Sequence, residues 1–248
     1  MSPLIQSDYA VRARLGLIVP PTNTVNETEW RAMLPAGVSF HTHRMRLHPD
    51  VSSEAGLAGL HADLDAAFDM LKPAGCAVVA YACTAGSMIS PPRALPDALA
   101  ARNGVAAVTT SAAIVAGLKA LGATRLSVAT PYADALNDHE THFLQGEGFE
   151  VANLIGLGIG AGGPQEYPRI ARTPLEAVAD HARAAFVAGS DALLITCTDF
   201  PTLPLVATLE AELGVPVVTS NQATLWAALR EAGLDDRIAG CGRLLAAH

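Results

Sequence analysis

The chain has 248 residues, of which 50% are hydrophobic, 16% charged and 5% aromatic, and its formal net charge is −8. It is long and apolar enough to bury a core, which excludes disorder, and an acidic chain with no Lys/Arg cluster excludes a nucleic-acid partner. No apolar run reaches the ~18–20 residues of a membrane span, and no basic segment followed by a long apolar one opens the chain, so a cytoplasmic protein with no membrane partner is expected.

Residues 1–12 read as a short arm. Short apolar runs then alternate with longer amphipathic stretches. They predict strands at 15–19, 38–46, 77–82 and 106–108, with helices at 24–34, 53–71, 94–102 and 111–121. Continuous apolar strands between helices indicate a parallel sheet covered on both faces.

After residue 122 the pattern begins again. ARLGLIVPPTNTVN at 13–26 is answered by TRLSVATPYADALN at 124–137, with Pro131 111 positions after Pro20 and Asn137 111 after Asn26. GCAVVAYACT at 75–84 is answered by GSDALLITCT at 189–198, which sets Cys197 114 positions after Cys83. GVAAVTTSAAIVAGLKALG and GVPVVTSNQATLWAALREAG begin at Gly104 and Gly214. A period near 110 is too long for a solenoid and indicates a duplicated lobe. The predicted fold is α/β, with two pseudo-symmetric doubly wound lobes at 13–122 and 123–248. Each lobe carries roughly four parallel strands flanked by helices. The last helix is free to pack back on the first lobe.

In open parallel sheets, ligands bind beyond the carboxyl ends of the strands. Those ends carry Pro20 to Thr24, Cys83-Thr84, Thr109 to Ser111, Pro131-Tyr132, Cys197-Thr198-Asp199 and Thr219 to Asn221. Helix N-termini there favour a bound carboxylate, and the same field is expected to lower a cysteine pKa. The matched Cys-Thr pairs single out Cys83 and Cys197 as catalytic, one on each side of a cleft between the lobes. One would remove a proton from the substrate or add to it, and the other would deliver a proton. Cys76, matched by Ser190, and Cys241, with no counterpart, read as structural. Asn23 suits a helix cap as well as a ligand, and Tyr132 suits a packing role as well as a contact. His41 with His43, and His139 with His142, lack a third ligand at metal spacing, so no metal is expected. Asp199 either tunes a thiol or caps the next helix. The glycine-rich 156–163 does not lead into a helix as a dinucleotide loop does, and reads as a loop over the cleft.

GLIVPPTNTVNETEW, YACTAGS, ATPYADALN and ITCTDFPTLP together resemble the aspartate/glutamate racemase superfamily, in its maleate isomerase and arylmalonate decarboxylase branch, from Arg14 to Leu245. The resemblance implies no metal or organic cofactor, a small carboxylate substrate and a homo-oligomer. It implies Cys83 as nucleophile and Cys197 as proton donor. It also implies Asn23, Tyr132 and Asn137 as carboxylate contacts, with Thr84 and Thr198 offering backbone N–H groups. Malonate-type decarboxylases keep only the second cysteine, so a chain with both is expected to be a maleate-type cis–trans isomerase working by thiolate addition and rotation, with an amino-acid or hydantoin-type racemase or an arylmalonate-type decarboxylase as the alternatives. The 156–168 segment departs from the isomerases in lacking their Asn, for which Gln165 is the nearest replacement. A non-catalytic carboxylate-binding protein is the third reading, and the second thiol speaks against it.

Overall fold

The computed structural model describes residues 7–48 and 53–248. The outer half of the predicted N-terminal arm, 1–6, lies outside the described residues. The first half of the chain forms β1 (Ala13–Val19), α1 (Asn26–Met33), β2 (Val38–Arg44), α2 (Glu54–Leu71), β3 (Val78–Tyr81), α3 (Thr84–Ser87), α4 (Ala94–Asn103), β4 (Ala106–Thr109) and α5 (Thr110–Ala120). The second half forms β5 (Arg125–Tyr132), α6 (Asp134–Gly146), β6 (Glu150–Ile159), α7 (Leu175–Ala185), β7 (Ala192–Ile195), α8 (Leu203–Leu213), β8 (Val217–Thr219), α9 (Ser220–Glu231) and α10 (Arg243–Ala247).

There are two four-stranded sheets of identical order, β2-β1-β3-β4 and β6-β5-β7-β8. Every pairing is parallel. Strands β1, β3, β5 and β7 are central and almost wholly buried, which is why they read as unbroken apolar runs. Edge strand β2 is half exposed and carries His41, His43 and Arg44.

Successive side chains on a strand face opposite ways, and this divides the core. Val78 and Ala80 of β3, with Ala192 and Leu194 of β7, enter one cluster shared by both halves of the chain. Helices α5 and α9 lie in that shared layer, contributing Ile114 and Leu118, and Leu225 and Leu229. Val79 and Tyr81 face a second cluster with Leu60, Leu64 and Phe68 of α2. Leu193 and Ile195 face a third with Val178 of α7 and Leu209 of α8. Leu244 of α10 lies over Gly117 of α5 in the first half of the chain.

Three predicted boundaries shift. Helix α1 starts at Asn26 rather than Thr24, because the Asn23 side chain accepts the Val25 and Asn26 N–H groups and caps it there. Strand β2 stops at Arg44, whose partner Val19 is the last residue of β1. The stretch from Gly156, expected to be loop, is strand through Ile159. Register shifts in β6 let it follow β5 as far as Tyr132, and only from Gly160 does the chain turn away. Among the described residues no helix is long and apolar enough to cross a membrane.

Candidate active site

The carboxyl ends of both sheets meet along a seam stitched by hydrogen bonds. Asn23, in the turn after β1, donates to the Thr198 hydroxyl at 3.0 Å. Thr198 in turn donates to the carbonyl of Ala82 at 3.0 Å. Thr84 pairs with Ser220 at 2.9 Å, and the Asn26 amide donates to Asn221 at 2.6 Å. Asn23, Thr84 and Thr198, all predicted at the site, therefore join the two sheets. The two cysteines adjoin this stitching as neighbours of Ala82 and Thr84, and of Thr198. Both are nearly closed off from solvent, at 8% for Cys83 and 9% for Cys197. A ligand reaches them only when the seam or its loops open.

Each sulfur has its own tyrosine. Cys83 caps the short helix α3, its sulfur accepting from the Gly86 N–H at 3.4 Å, and the Tyr81 hydroxyl reaches the same sulfur. Cys197 is met by the Tyr132 hydroxyl and by the Asp199 N–H. Burial pushes both phenols well above their ordinary pKa, and the neighbouring sulfurs push them further. They therefore stay protonated and act as donors, never as bases. Tyr132 is a buried group behind the seam rather than a rim residue, at 6% exposure.

The expectation that helix N-termini would lower the thiol pKa values is overturned. Burial pushes Cys83 up, and the Gly86 N–H and Tyr81 hydroxyl offset this only in part. Burial pushes Cys197 up to about 12, with the Asp199 and Cys83 charges adding to it against the Asp199 N–H and Tyr132. Desolvation of the charged form outweighs the field of a single helical turn. One charged neighbour distinguishes the pair: the Asp199 carboxylate raises Cys197 and has no counterpart among the groups acting on Cys83. Since charge on Cys83 disfavours charge on Cys197, the two sulfurs share one electrostatic environment.

Cys197 is the one non-glycine with a positive φ, 88°, among the described residues. Such a conformation is strained for an ordinary side chain and persists where its surroundings fix it. Asp199 supplies part of that fixing, accepting from the Thr24 N–H across the seam at 2.8 Å. Burial lifts its carboxyl to about 6. Asp199 therefore does not cap the helix that follows it, whose N–H groups go to Glu29; it anchors the turn before α1 and places its carboxyl beside a thiol.

Asn137 lies one layer further back. Its amide donates to the Tyr132 carbonyl at 3.1 Å, and its oxygen accepts from Thr130 at 2.5 Å, so it braces Tyr132. Gly156 packs so tightly on this pair that a Cβ there would lie under 3.0 Å from the Asn137 amide and the Tyr132 carbonyl. Gln165 is turned back on its own loop, donating to the Gly162 carbonyl. Cys76 is buried away from the seam among Leu71 and Val79. Cys241 packs at the edge of the shared core. His41 bonds to Ser39, His139 to the Met88 carbonyl and His142 to the Asp138 carbonyl.

Sequence reasoning missed four contributors. Tyr81 stands two residues before Cys83 and so shares its face of the strand, a signal present in the alternation itself. Arg44, at the end of an edge strand, donates to the Asn23 carbonyl at 2.6 Å and pairs with Glu27. Glu29 crosses the seam to cap α8, accepting from the Thr202 and Leu203 N–H groups at 2.6 and 2.7 Å and from the Asn221 amide at 2.7 Å. Glu140 is its counterpart 111 residues on.

The chain is similar to known proteins over nearly its whole length. The chain is 36% identical to the maleate isomerase of Nocardia farcinica (strain IFM 10152) over 245 residues, 94% of this chain and 95% of that one. It is 32% identical to the arylmalonate decarboxylase of Bordetella bronchiseptica over 235 residues, covering 88% and 90%. Its fold superposes with a TM-score of 0.84 and 32% identity, over 95% of this chain and 99% of the other, on a cysteine-to-serine mutant of the Nocardia farcinica maleate cis-trans isomerase with a covalently bound succinylcysteine intermediate. The family profile for arylmalonate decarboxylase matches residues 15–245, and with that coverage the chain belongs to the arylmalonate decarboxylase family.

Proposed function

We propose that the protein is a cofactor-independent cis–trans isomerase that converts maleate, or a close cis-enedioate, to its trans isomer through two cysteines. The observation that carries this reading is the presence of two thiols, Cys83 and Cys197, on one seam, each met by a buried tyrosine hydroxyl. A decarboxylase that needs one thiol has no use for the first. The relative with a succinylcysteine intermediate supports covalent addition as the route.

In this mechanism the Cys83 thiolate, held by the Gly86 N–H and the Tyr81 hydroxyl, adds to one olefinic carbon. The π electrons move to the neighbouring carbon, and the Cys197 thiol gives that carbon its proton. This leaves a succinyl thioether on Cys83 and a thiolate on Cys197. The former double bond is now single and rotates. Cys197 takes the proton back, the C–S bond to Cys83 breaks, and the trans acid leaves with both sulfurs restored. A carbanion next to a carboxylate is more basic than a thiolate, so even a thiol as weakly acidic as Cys197 can protonate it. Asn23 and Tyr132, with Asn137 bracing Tyr132, bind the carboxylates in this reading. The N–H groups of Thr84 and Thr198 face the developing charge.

The test is conversion of maleate to fumarate followed by ultraviolet absorbance. Parallel assays follow loss of optical rotation from amino acids and release of carbon dioxide from arylmalonates. Turnover in the first assay alone supports the isomerase; turnover only in either of the others would replace it. The same reading extends to lobes at 13–122 and 123–248, a homo-oligomer and a cytoplasmic setting that keeps the four free cysteines reduced. Sedimentation tests the oligomer.

A further inference from the structure

The duplication sets Glu140 on α6 where Glu29 stands on α1. Both carboxyls are buried, at 2% and 5% exposure, but their partners differ. Glu29 accepts from two helix N–H groups and an amide. Glu140 has, among the described residues, one donor, the Thr196 hydroxyl at 3.2 Å. In place of a helix terminus it faces a cavity of about 10 Å³ shared with Thr84, Ser111 and Met88, and closed by Ile114, Phe143 and Leu144. That is room for about one water molecule, with hydroxyls to bond it.

We propose that Glu140 is a further positioning residue of the isomerase reaction, one that works as a neutral carboxylic acid and fixes, through Thr196, the strand end that carries Cys197. The proposal rests on the isomerase reading above. Thr196 is held at both ends, its N–H bonded to the Ala129 carbonyl at 3.0 Å and its hydroxyl to Glu140. The next residue is Cys197 in its left-handed conformation, so a loosened Thr196 would release the strain by moving the sulfur.

The neutral form follows from the surroundings. From β5 Tyr132 faces the group, from β7 Thr196, from α3 Thr84, from α5 Ser111 and Ile114, and from the chain after α3 Met88. On α6 itself His139 turns to the Met88 carbonyl, while Phe143 and Leu144 are apolar. No cation is in this set. A carboxylate stripped of water beside one neutral hydroxyl is disfavoured, whereas a carboxylic acid keeps the Thr196 bond and adds a donor of its own. Burial accordingly holds the group protonated up to about pH 8. Once ionised, Glu140 pushes the Tyr132 phenol further up and sets a negative charge in the cavity that Thr84 lines, where it opposes a bound dicarboxylate.

The experiment compares pH profiles of kcat/KM for maleate in the wild type, Glu140→Gln and Thr196→Val. It is joined by infrared titration of the wild type for the carbonyl band of a protonated carboxylic acid. Wild-type kcat/KM is expected to rise with ionisation of Cys83 up to about pH 8 and then to level off, because loss of the Glu140 proton cancels the further rise, and the infrared band should vanish over the same range. Glu140→Gln still accepts from Thr196 but cannot ionise, so its profile should keep rising past pH 8. Thr196→Val should lower kcat about tenfold or more with KM little changed. A Glu140→Gln profile that levels off at pH 8 as the wild type does, a wild type with no protonated-acid band at pH 7, or Thr196→Val with unchanged kcat would each overturn the proposal. A wild type that never turns over maleate would instead overturn the isomerase reading, and the infrared titration would still report on Glu140.

Discussion

Gly156→Ala tests the packing behind Tyr132 with a single methyl group. Gly156 pairs with Thr130 in the sheet, and its φ is not in the left-handed region, so its backbone accepts alanine. The conflict is purely steric. The new Cβ meets the Asn137 amide and the Tyr132 carbonyl under 3.0 Å away. The carbonyl belongs to a central strand and cannot yield. Asn137 can yield only by giving up its bonds to Thr130 and Tyr132. Overpacking of this kind costs about 1–3 kcal/mol, and each buried group left unpaired costs about 1–3 kcal/mol more. The smaller entropy of the unfolded alanine chain returns about 0.4–1 kcal/mol. The net expectation is a loss of roughly 2–5 kcal/mol in urea unfolding. Turnover should fall about a hundredfold as Tyr132 shifts from Cys197. Gly146→Ala, at the end of α6 with open space around it, is the control and should gain slightly. A Gly156→Ala protein with wild-type unfolding and turnover would refute the claim that this glycine is required by the site.

Glu29→Ala leaves the Thr202 and Leu203 N–H groups and the Asn221 amide without their acceptor, and should cost about 3 kcal/mol or more in denaturant unfolding. Tyr81→Phe removes a donor from the Cys83 sulfur; the pH dependence of Cys83 alkylation should move upward and turnover at neutral pH should fall about tenfold or more. Cys197→Ser, incubated with maleate, should accumulate protein heavier by one maleate, with the adduct mapped to Cys83 by mass spectrometry. Stability should also fall from pH 5 to 8. The Glu140 carboxyl is raised from 4.5 to about 8 by folding, so the native state keeps a proton that the unfolded chain releases. That contribution is complete below about pH 4.5 and is lost by pH 8, an upper limit of roughly 5 kcal/mol. Asp199, raised to about 6, adds its own decline below that pH in both proteins, so the contrast is read between pH 6 and 8, where urea midpoints should decline in the wild type and decline less in Glu140→Gln.

Much of this was legible because the chain states its architecture twice. Buried parallel strands leave unbroken apolar runs, and the offsets near 110 aligned Cys83 with Cys197 before any coordinates. What stayed hidden was set by tertiary contact. The start of α1 depends on how Asn23 turns its oxygen back. The extension of β6 to Ile159 depends on register shifts that no local pattern encodes. The thiol acidities came out in the wrong direction because a helix terminus is visible in sequence and the depth of burial is not. Glu29 and Glu140 were legible as a matched pair at the Asn26–Asn137 offset, yet two acidic residues on helices read as solvated until their burial is known.

The departures from symmetry, more than the symmetry, argue for the chemistry. The two copies supply matching strands and matching sulfurs, but the donors come from unmatched positions. Tyr132 occupies the place of Pro21, and Tyr81 has Ile195 as its counterpart. Asp199, whose charge helps to raise Cys197, corresponds to uncharged Ala85 beside Cys83. Cys83 caps a helix, while Cys197 sits at a φ of 88°. A pair of thiols that must exchange the roles of acid and base for two enantiomers gains from equal acidity. Addition and elimination ask for the opposite, one sulfur that ionises readily and one that holds its proton until a carbanion forms. The Asp199 carboxylate, which has no counterpart beside Cys83, disfavours charge on Cys197, so this departure from symmetry lies in the direction that addition requires.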